Sequence, residues 1–193
     1  MKRFLGVANQ ASRAGMKLGR LHAASSSGVF ELPGAHLDMV RPGMALYGGY
    51  PNDPIKQRKK ATLRCTVRLK ARVVRVERLR AGDSVSYGRH YIAREPVWVA
   101  TIPVGHTDGY PRQAVKGARI LIGEKTYPVI GAVSASHTII ELGREKTVRV
   151  GDVATLMGPD APEIDPNEIS VKTGVSVYDL FMHLNPLLPR RVV

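Results

Sequence analysis

The sequence predicts a mostly-β chain. A C-terminal β-barrel-like domain is preceded by the last βα units of an incomplete α/β domain. Three observations predict it. Short segments of alternating or continuous apolar residues recur between Thr66 and Met157, separated by brief glycine-bearing turns, which is the signature of an all-β barrel or sandwich. Ahead of them, two loops read as strand-to-helix turns: His22-Ala23-Ala24-Ser25-Ser26-Ser27-Gly28 and Val40-Arg41-Pro42-Gly43-Met44-Ala45-Leu46-Tyr47-Gly48. Between the two regions the composition changes, through Gly48-Gly49-Tyr50-Pro51-Asn52-Asp53-Pro54 and a charge run, a linker signal.

In chain order, Lys2 to Ala14 carries Phe4, Leu5, Ala8 and Ala11 at helical spacing and ends near Gly15, so a helix is expected there. The first loop leads into a short helix over roughly Gly28 to Ala35, and Leu37-Asp38-Met39-Val40 reads as a strand ending at Arg41. Pro42 and Gly43 then open a second short helix. Proline at a first helical position loses no hydrogen bond, and free N–H groups at a helix start attract anions. One hydroxyl-bearing and one glycine-bearing βα-loop in succession match the phosphate site after the seventh and eighth strands of a TIM barrel. Such a barrel needs about 250 residues, so residues 1–48 are at most its last two units. Residues 49–61 form the linker and residues 62–193 the β-domain. A pair of βα units buries few of its apolar faces, so residues 1–48 are expected to be poorly ordered without a partner.

Thr66-Val67-Arg68-Leu69-Lys70-Ala71-Arg72-Val73 alternates strictly, and Val74-Arg75-Val76-Glu77 continues with the phase shifted by one. A β-bulge near Val73-Val74 would produce that shift. Further strands are expected at Val97–Val104, Ala118–Ile122, Tyr127–Val133, Thr138–Leu142 and Asp152–Met157, with turns at Gly82, Gly123 and Gly151. Asp165 and Pro166 form a helix start, and a helix to Thr173 would end at Gly174. A shorter helix is expected from Val177 to His183.

Bulk properties narrow the function. With 193 residues and 44% hydrophobic content the chain suits a packed globular protein. The single cysteine, Cys65, excludes an internal disulfide framework and predicts a reducing, cytoplasmic compartment. No apolar run approaches the ~20 residues of a membrane span, and Asn9-Gln10 interrupt the apolar start too early for a signal peptide. The net charge of +13 raises the alternative of a polyanion or nucleic-acid binder, and the Lys56–Lys60 run concentrates it. Aromatic content of only 6%, with no stacking aromatics among the basic residues, favours a solvated basic face.

Several segments together carry a resemblance that none carries alone. The two loops are similar to the His-x-Ala-Asn-Ser and Val-Arg-x-Gly-x-x-x-Tyr-Gly segments of the alanine racemase family, pyridoxal-phosphate (PLP) enzymes built from a TIM barrel and a C-terminal β-domain. Ser84-Val85-Ser86-Tyr87-Gly88 resembles the family's Ser-Tyr-Gly motif, and Val175-Ser176-Val177-Tyr178-Asp179 its Ile-Asn-Tyr-Glu segment. Ile102-Pro103-Val104-Gly105-His106-Thr107-Asp108-Gly109 resembles Ile-Pro-Ile-Gly-Tyr-Ala-Asp-Gly. Gly131-Ala132-Val133-Ser134-Ala135-Ser136-His137 resembles Gly-Arg-Val-Cys-Met-Asp-Gln. The likeness runs from about Leu21 to Arg190.

The resemblance implies a role for each matched residue. Arg41 would face the pyridine nitrogen of PLP, where a guanidinium, unable to take up a proton, keeps the ring neutral. His22 would support Arg41. Ser26, the backbone N–H groups of Gly43 and Met44, and the Tyr178 hydroxyl would hold the phosphate. Tyr87 would be the base on the L-face of Cα, presented to the cofactor of a partner subunit in a homodimer. Free tyrosine titrates near 10, so neighbouring positive charge must favour its phenolate. His106 and Ala135 would contact substrate, and no metal is implied. Four positions depart from the family: Ser25 for Asn, His106 for Tyr, Ala135 for Met and Ser136 for Asp. They leave the cofactor residues in place and bear on substrate choice, between alanine and something larger or more polar. The family's cofactor-bearing lysine belongs to a barrel segment outside these 193 residues. Neither Lys17 nor Lys70 stands in a matching motif. The implied activity is PLP-dependent interconversion of L- and D-alanine, needing a barrel that carries the lysine. The competing reading is a non-catalytic assembly module.

Overall fold

The computed structural model describes residues 1–58 and 61–192. Lys59 and Lys60, part of the charge run in the linker, lie outside the described residues, as does Val193. The chain forms two compact units, Met1–Leu63 and Arg64–Val193.

In the first unit, α1 (Lys2–Arg13) forms where the helical spacing predicts it and buries only Ala8, leaving Phe4 and Leu5 exposed. The next helix, α2 (Ser26–Glu31), is displaced from the expected span. It starts as soon as Ser25, in extended conformation, can serve as N-cap. It stops before Pro33, which has no N–H to continue it, and Pro33–Ala35 forms a separate 3-10 turn. The segments leading into the two loops run side by side in parallel. Asp38 N–H donates to the Leu21 carbonyl (3.0 Å), Arg41 N–H to the Ala24 carbonyl (2.8 Å), and Ser25 bridges Arg41. That is one isolated bridge rather than the strand expected over Leu37–Val40. Met44–Tyr47 is a 3-10 turn ended by Gly48 at φ +90°. A further helix, α3 (Asp53–Gln57), forms inside the linker-like composition, because the Asn52 side chain accepts the Ile55 N–H (2.9 Å) and Ile55 is buried.

The second unit is a curled antiparallel sheet. Its strands are β1 (Leu69–Arg72), β2 (Arg75–Leu79), β5 (Val97–Ile102), β6 (Arg119–Ile122), β7 (Lys125–Ile130), β8 (Thr138–Gly143) and β9 (Val153–Met157). Their order is β1-β9-β6-β7-β8-β5-β2. A separate hairpin pairs β3 (Ser84–Val85) with β4 (Tyr91–Ile92). The inward positions of the large sheet, among them Ile102, Ile120, Ile140 and Leu156, are fully buried, and each such side chain contributes about 1.5–3 kcal/mol of transfer free energy.

The phase shift at Val73-Val74 has a different cause from the expected bulge. Val73 N–H donates to the Asp152 carbonyl (2.9 Å), beside β9, whereas Val74 N–H donates to the Thr101 carbonyl (3.0 Å) in β5. Consecutive residues therefore bond to opposite ends of the strand order. The chain changes sheet edge between them, which turns the inward face over by one residue. The register irregularity that β1 does contain lies at Leu69/Lys70. Two helices close the unit. In α4 (Pro166–Thr173) the Asp165 carboxylate accepts the Asn167 N–H (2.9 Å), and the helix ends at Gly174 with φ +74°. In α5 (Val177–Met182) the Ser176 hydroxyl accepts the Asp179 N–H (3.1 Å).

Candidate active site

In the first unit, the parallel pairing of Ser25 with Arg41 brings the two loops together. The buried Ser26 hydroxyl accepts the Gly43 N–H at 3.0 Å and the Ala45 N–H at 3.4 Å. The Met44 N–H between them has no acceptor among the described residues. Three successive backbone donors therefore start the 3-10 turn, two of them converging on one hydroxyl oxygen. Gly43 adds no steric bulk, for a Cβ there would meet nothing within 4 Å. Ser26 still has its own O–H to donate. Among the described residues the Met44 N–H and the Ser26 O–H are the two donors left at this turn for an anion.

Arg41 extends from the same loop and is bonded to His22 Nδ1 and, at 3.4 Å, to the His22 carbonyl. A guanidinium can only donate, so Nδ1 is the acceptor and the proton of neutral His22 sits on Nε2. The structure thus brings His22, Ser26, Arg41, Gly43 and Met44 into one cluster. Ala45, whose N–H shares the Ser26 oxygen, was missed by the sequence reading. Nothing but its place in the turn marks an alanine as a donor.

In the second unit, Tyr87 sits at the tip of the β3–β4 hairpin and is 80% exposed. The backbone around it is unusual: Ser86, Gly88 and Arg89 have φ of +67°, +69° and +51°. Positive φ at Ser86 and Arg89 costs on the order of 1–3 kcal/mol each, and the surroundings fix at least the first. The Ser86 hydroxyl donates to the Ala132 carbonyl (3.3 Å) and fills the space that a Cβ on Gly131 would occupy. This ties the Tyr87 turn to the loop after β7.

That loop is tied in turn to the one after β5. His106 N–H donates to the Ser134 carbonyl and Thr107 N–H to the Ala135 carbonyl, both at 3.0 Å, and the Thr107 hydroxyl reaches the same Ala135 oxygen at 2.6 Å. A Cβ on Gly105 would collide with both carbonyls. Glycine is required there for close approach, not for its torsions. Tyr87, His106 and Ala135 consequently line one cavity of about 860 Å³, within the range of small-molecule sites. The Ala135 N–H has no acceptor among the described residues.

Other lining residues escaped the sequence reading. Arg112 donates to His106 Nε2 at 2.9 Å. Tyr91, also on the wall, gives its hydroxyl to the Glu141 carboxylate at 2.8 Å, and burial together with that bond pushes its ionisation well upward. Arg112 was legible only as one of many cations. Tyr178 lies on α5, half exposed, away from this cavity's lining. Among the described residues no group of three His, Cys, Asp or Glu is placed to hold a metal ion. No helix among them is long and apolar enough to cross a membrane.

The comparison with known proteins follows the same division. The profile described as "Alanine racemase, C-terminal domain" matches residues 66–192, and "Alanine racemase, N-terminal domain" matches residues 1–51. The chain belongs to the alanine racemase family. The alanine racemase of Chlorobaculum tepidum is 35% identical over 193 residues, covering 100% of this chain and 49% of that protein. That of Desulforamulus reducens is 31% identical, over 98% of this chain and 50% of that protein. Among solved structures, alanine racemase from Streptomyces coelicolor superposes with a TM-score of 0.88 at 30% identity, covering 98% of this chain and 49% of that one. The biosynthetic alanine racemase of Pseudomonas aeruginosa gives 0.81 at 29% identity, over 98% and 50%. The chain thus spans about half the length of the racemases it matches.

Proposed function

We propose that this chain supplies the C-terminal part of a PLP-dependent racemase that interconverts L- and D-alanine. One observation carries the reading: a highly exposed tyrosine, held on a strained turn, shares a cavity wall with His106 and the free Ala135 N–H. A merely structural or assembly role gives that strained, solvent-facing turn no use.

When bound, PLP acidifies the α-proton of an amino acid. The residues of the first unit suit it. The Ser26 O–H and the Met44 N–H, neither donated within the described residues, offer donors to a phosphate. The Gly43 N–H, which donates to Ser26 in this structure, keeps the phosphate role that the resemblance gives it, and Arg41 offers a donor to a ring nitrogen without surrendering a proton. His22 holds the guanidinium in place through Nδ1. The Tyr178 hydroxyl keeps the phosphate role that the resemblance gives it. In the second unit, the Tyr87 oxygen takes the α-proton from, or returns it to, the L-face. The Ala135 N–H donates to the substrate carboxylate, and His106 borders the entrance. The opposite face needs a second base, which the resemblance places on a barrel lysine, and a homodimer would bring Tyr87 to its partner's cofactor. The first unit is then the end of that barrel.

The test is a pair of assays with PLP. The 193-residue chain by itself is expected to show little or no conversion of L- to D-alanine. Joined to the preceding half of a relative, it should convert L-alanine, and Tyr87→Phe should lower the rate about 10²–10⁴-fold. Conversion by the isolated chain, or an unchanged rate in the Phe variant, would refute the assignment.

A further inference from the structure

We infer that Ser86 is a positioning residue for Tyr87, held in a conformation that costs stability and aims the phenol. The inference rests on the proton-transfer role proposed for Tyr87 and deepens it by naming what directs that side chain. Ser86 has φ +67° and ψ 171°, a region of backbone space populated essentially by glycine alone. A glycine would adopt these torsions freely, so what the serine adds is its side chain. The hydroxyl donates to the Ala132 carbonyl at 3.3 Å, in the loop after β7. It also stands against Gly131, where an added Cβ would lie 2.4 Å from Ser86 Oγ and 3.3 Å from Val85 Cγ2. Gly131 itself has φ +69°. Two unusual backbone positions thus face each other, and the missing side chain of one makes room for the hydroxyl of the other.

The residue before Ser86 is anchored as well. Val85 pairs with Tyr91 across the hairpin and is buried in an apolar cluster with Leu79, Val97, Val99 and Ile130. The residues after Ser86 have a weaker hold. Gly88, Arg89 and His90 are exposed, and Tyr87 is 80% exposed, so packing around its ring does little to fix its direction. Arg89 Nε donates to the Ser84 hydroxyl at 3.2 Å, which links the hairpin to itself and not to the large sheet. The direction of the Tyr87 side chain is therefore set at Ser86, whose torsions are held by the Ala132 carbonyl and the gap at Gly131. Without the hydroxyl, the turn keeps its strain and loses its tether. Without the Cβ too, the strain goes, and so does the restriction to one conformation. Stability and positioning then respond in opposite directions, as at sites where activity uses strain.

The experiment compares the full chain, ¹⁵N-labelled, with Ser86→Ala and Ser86→Gly. The heteronuclear NOE of the Tyr87 and Gly88 amides reads their ps–ns motion, and urea unfolding reads stability. Both variants lack the hydrogen bond, but only glycine relieves the torsion, so Ser86→Gly should have the higher urea midpoint of the two. Its Tyr87 amide should nonetheless be the most mobile of the three proteins. In the enzyme joined to the preceding half of a relative, kcat should fall further in Ser86→Gly than in Ser86→Ala, by about 10- to 10²-fold, with KM little changed. A merely structural serine would make kcat follow the urea midpoint. That result, or a Tyr87 amide in Ser86→Gly as rigid as the parent's, overturns the inference. Should Ser86→Ala not fold, the Tyr87 amide and kcat of Ser86→Gly against the parent still decide it. The two proposals fail separately. If the Tyr87 amide loosens in Ser86→Gly while Tyr87→Phe leaves conversion intact, only the racemase reading is wrong. If conversion requires Tyr87 and Ser86→Gly changes neither kcat nor the amide, only the positioning role is wrong.

Discussion

Gly105→Ala tests how the second unit's cavity is assembled. The backbone at Gly105 is extended, with φ −137°, so alanine meets no torsional penalty. The cost comes from space, because the new methyl would overlap the carbonyl oxygens of Ser134 and Ala135. Those oxygens cannot swing away as a flexible side chain would. They accept the His106 and Thr107 N–H groups, and the same segment is held by the Ser134 and His137 hydrogen bonds across its turn. Overpacking of this kind costs about 1–3 kcal/mol. Losing the two backbone hydrogen bonds between the loops adds about 0.5–1.5 kcal/mol each. A total of about 2–6 kcal/mol follows, a large part of the stability of a domain this size. Urea unfolding of the second unit should show the loss as a lower midpoint at unchanged slope. Gly19→Ala is the control, since a Cβ there meets nothing within 4 Å, and it should stay within about 0.5 kcal/mol of the parent. A Gly105→Ala variant as stable as the Gly19→Ala control, with the His106 and Ala135 amide signals unmoved, would show that the loops are not held by this close approach.

Two further outcomes are expected. Ile140 is fully buried in β8, between β5 and β7, and Ile140→Ala should cost about 2–5 kcal/mol in the same unfolding measurement. Asp160 pairs with Arg68 through both carboxylate oxygens at 2.8–3.0 Å, and the Arg68 hydrogen bonds hold its ionisation below the ordinary carboxylate value. The unfolded chain therefore takes up the proton first. The contribution is complete above pH about 4 and is lost as pH falls through the lower folded value. Asp160→Asn should flatten that part of the stability–pH curve, and an unchanged acid slope would contradict the pairing.

Much of the second unit was legible because its signals are local. Short apolar runs bounded by turns placed β6 and β8, and Asp165, Pro166 and Gly174 placed α4 within a residue of its ends. What local pattern cannot convey is which strand a residue pairs with. The phase shift at Val73-Val74 was visible, but a bulge and a change of sheet edge flip the same face. Only the partners, Asp152 and Thr101, distinguish them. The β3–β4 hairpin was missed because its strands have two residues each, too few for any period. The site divides the same way. Residues in sequence motifs, such as Ser26, Arg41 and Tyr87, could be named in advance. Arg112 and the Ala45 N–H matter through geometry alone, one through its bond to His106 and the other through a shared oxygen. The limits of the early helices were misplaced where Pro33 and the Asn52 cap outweighed apolar spacing.

The crossing at Val73-Val74 also sets an order of events during synthesis. The residue that anchors one edge bonds beside β9, whose last position is Met157, while its neighbour bonds to Thr101. A chain emerging from its N-terminal end can pair β2 with β5 as soon as residue 102 is available. β1, made earlier than either, must wait with its apolar face unpartnered until β9 has been translated. At about 5–20 residues per second that wait lasts several seconds, far longer than a hairpin takes to form. The exposed cations on β1, Lys70 and Arg72, stand on the strand that waits longest, where charge most discourages pairing with another nascent chain.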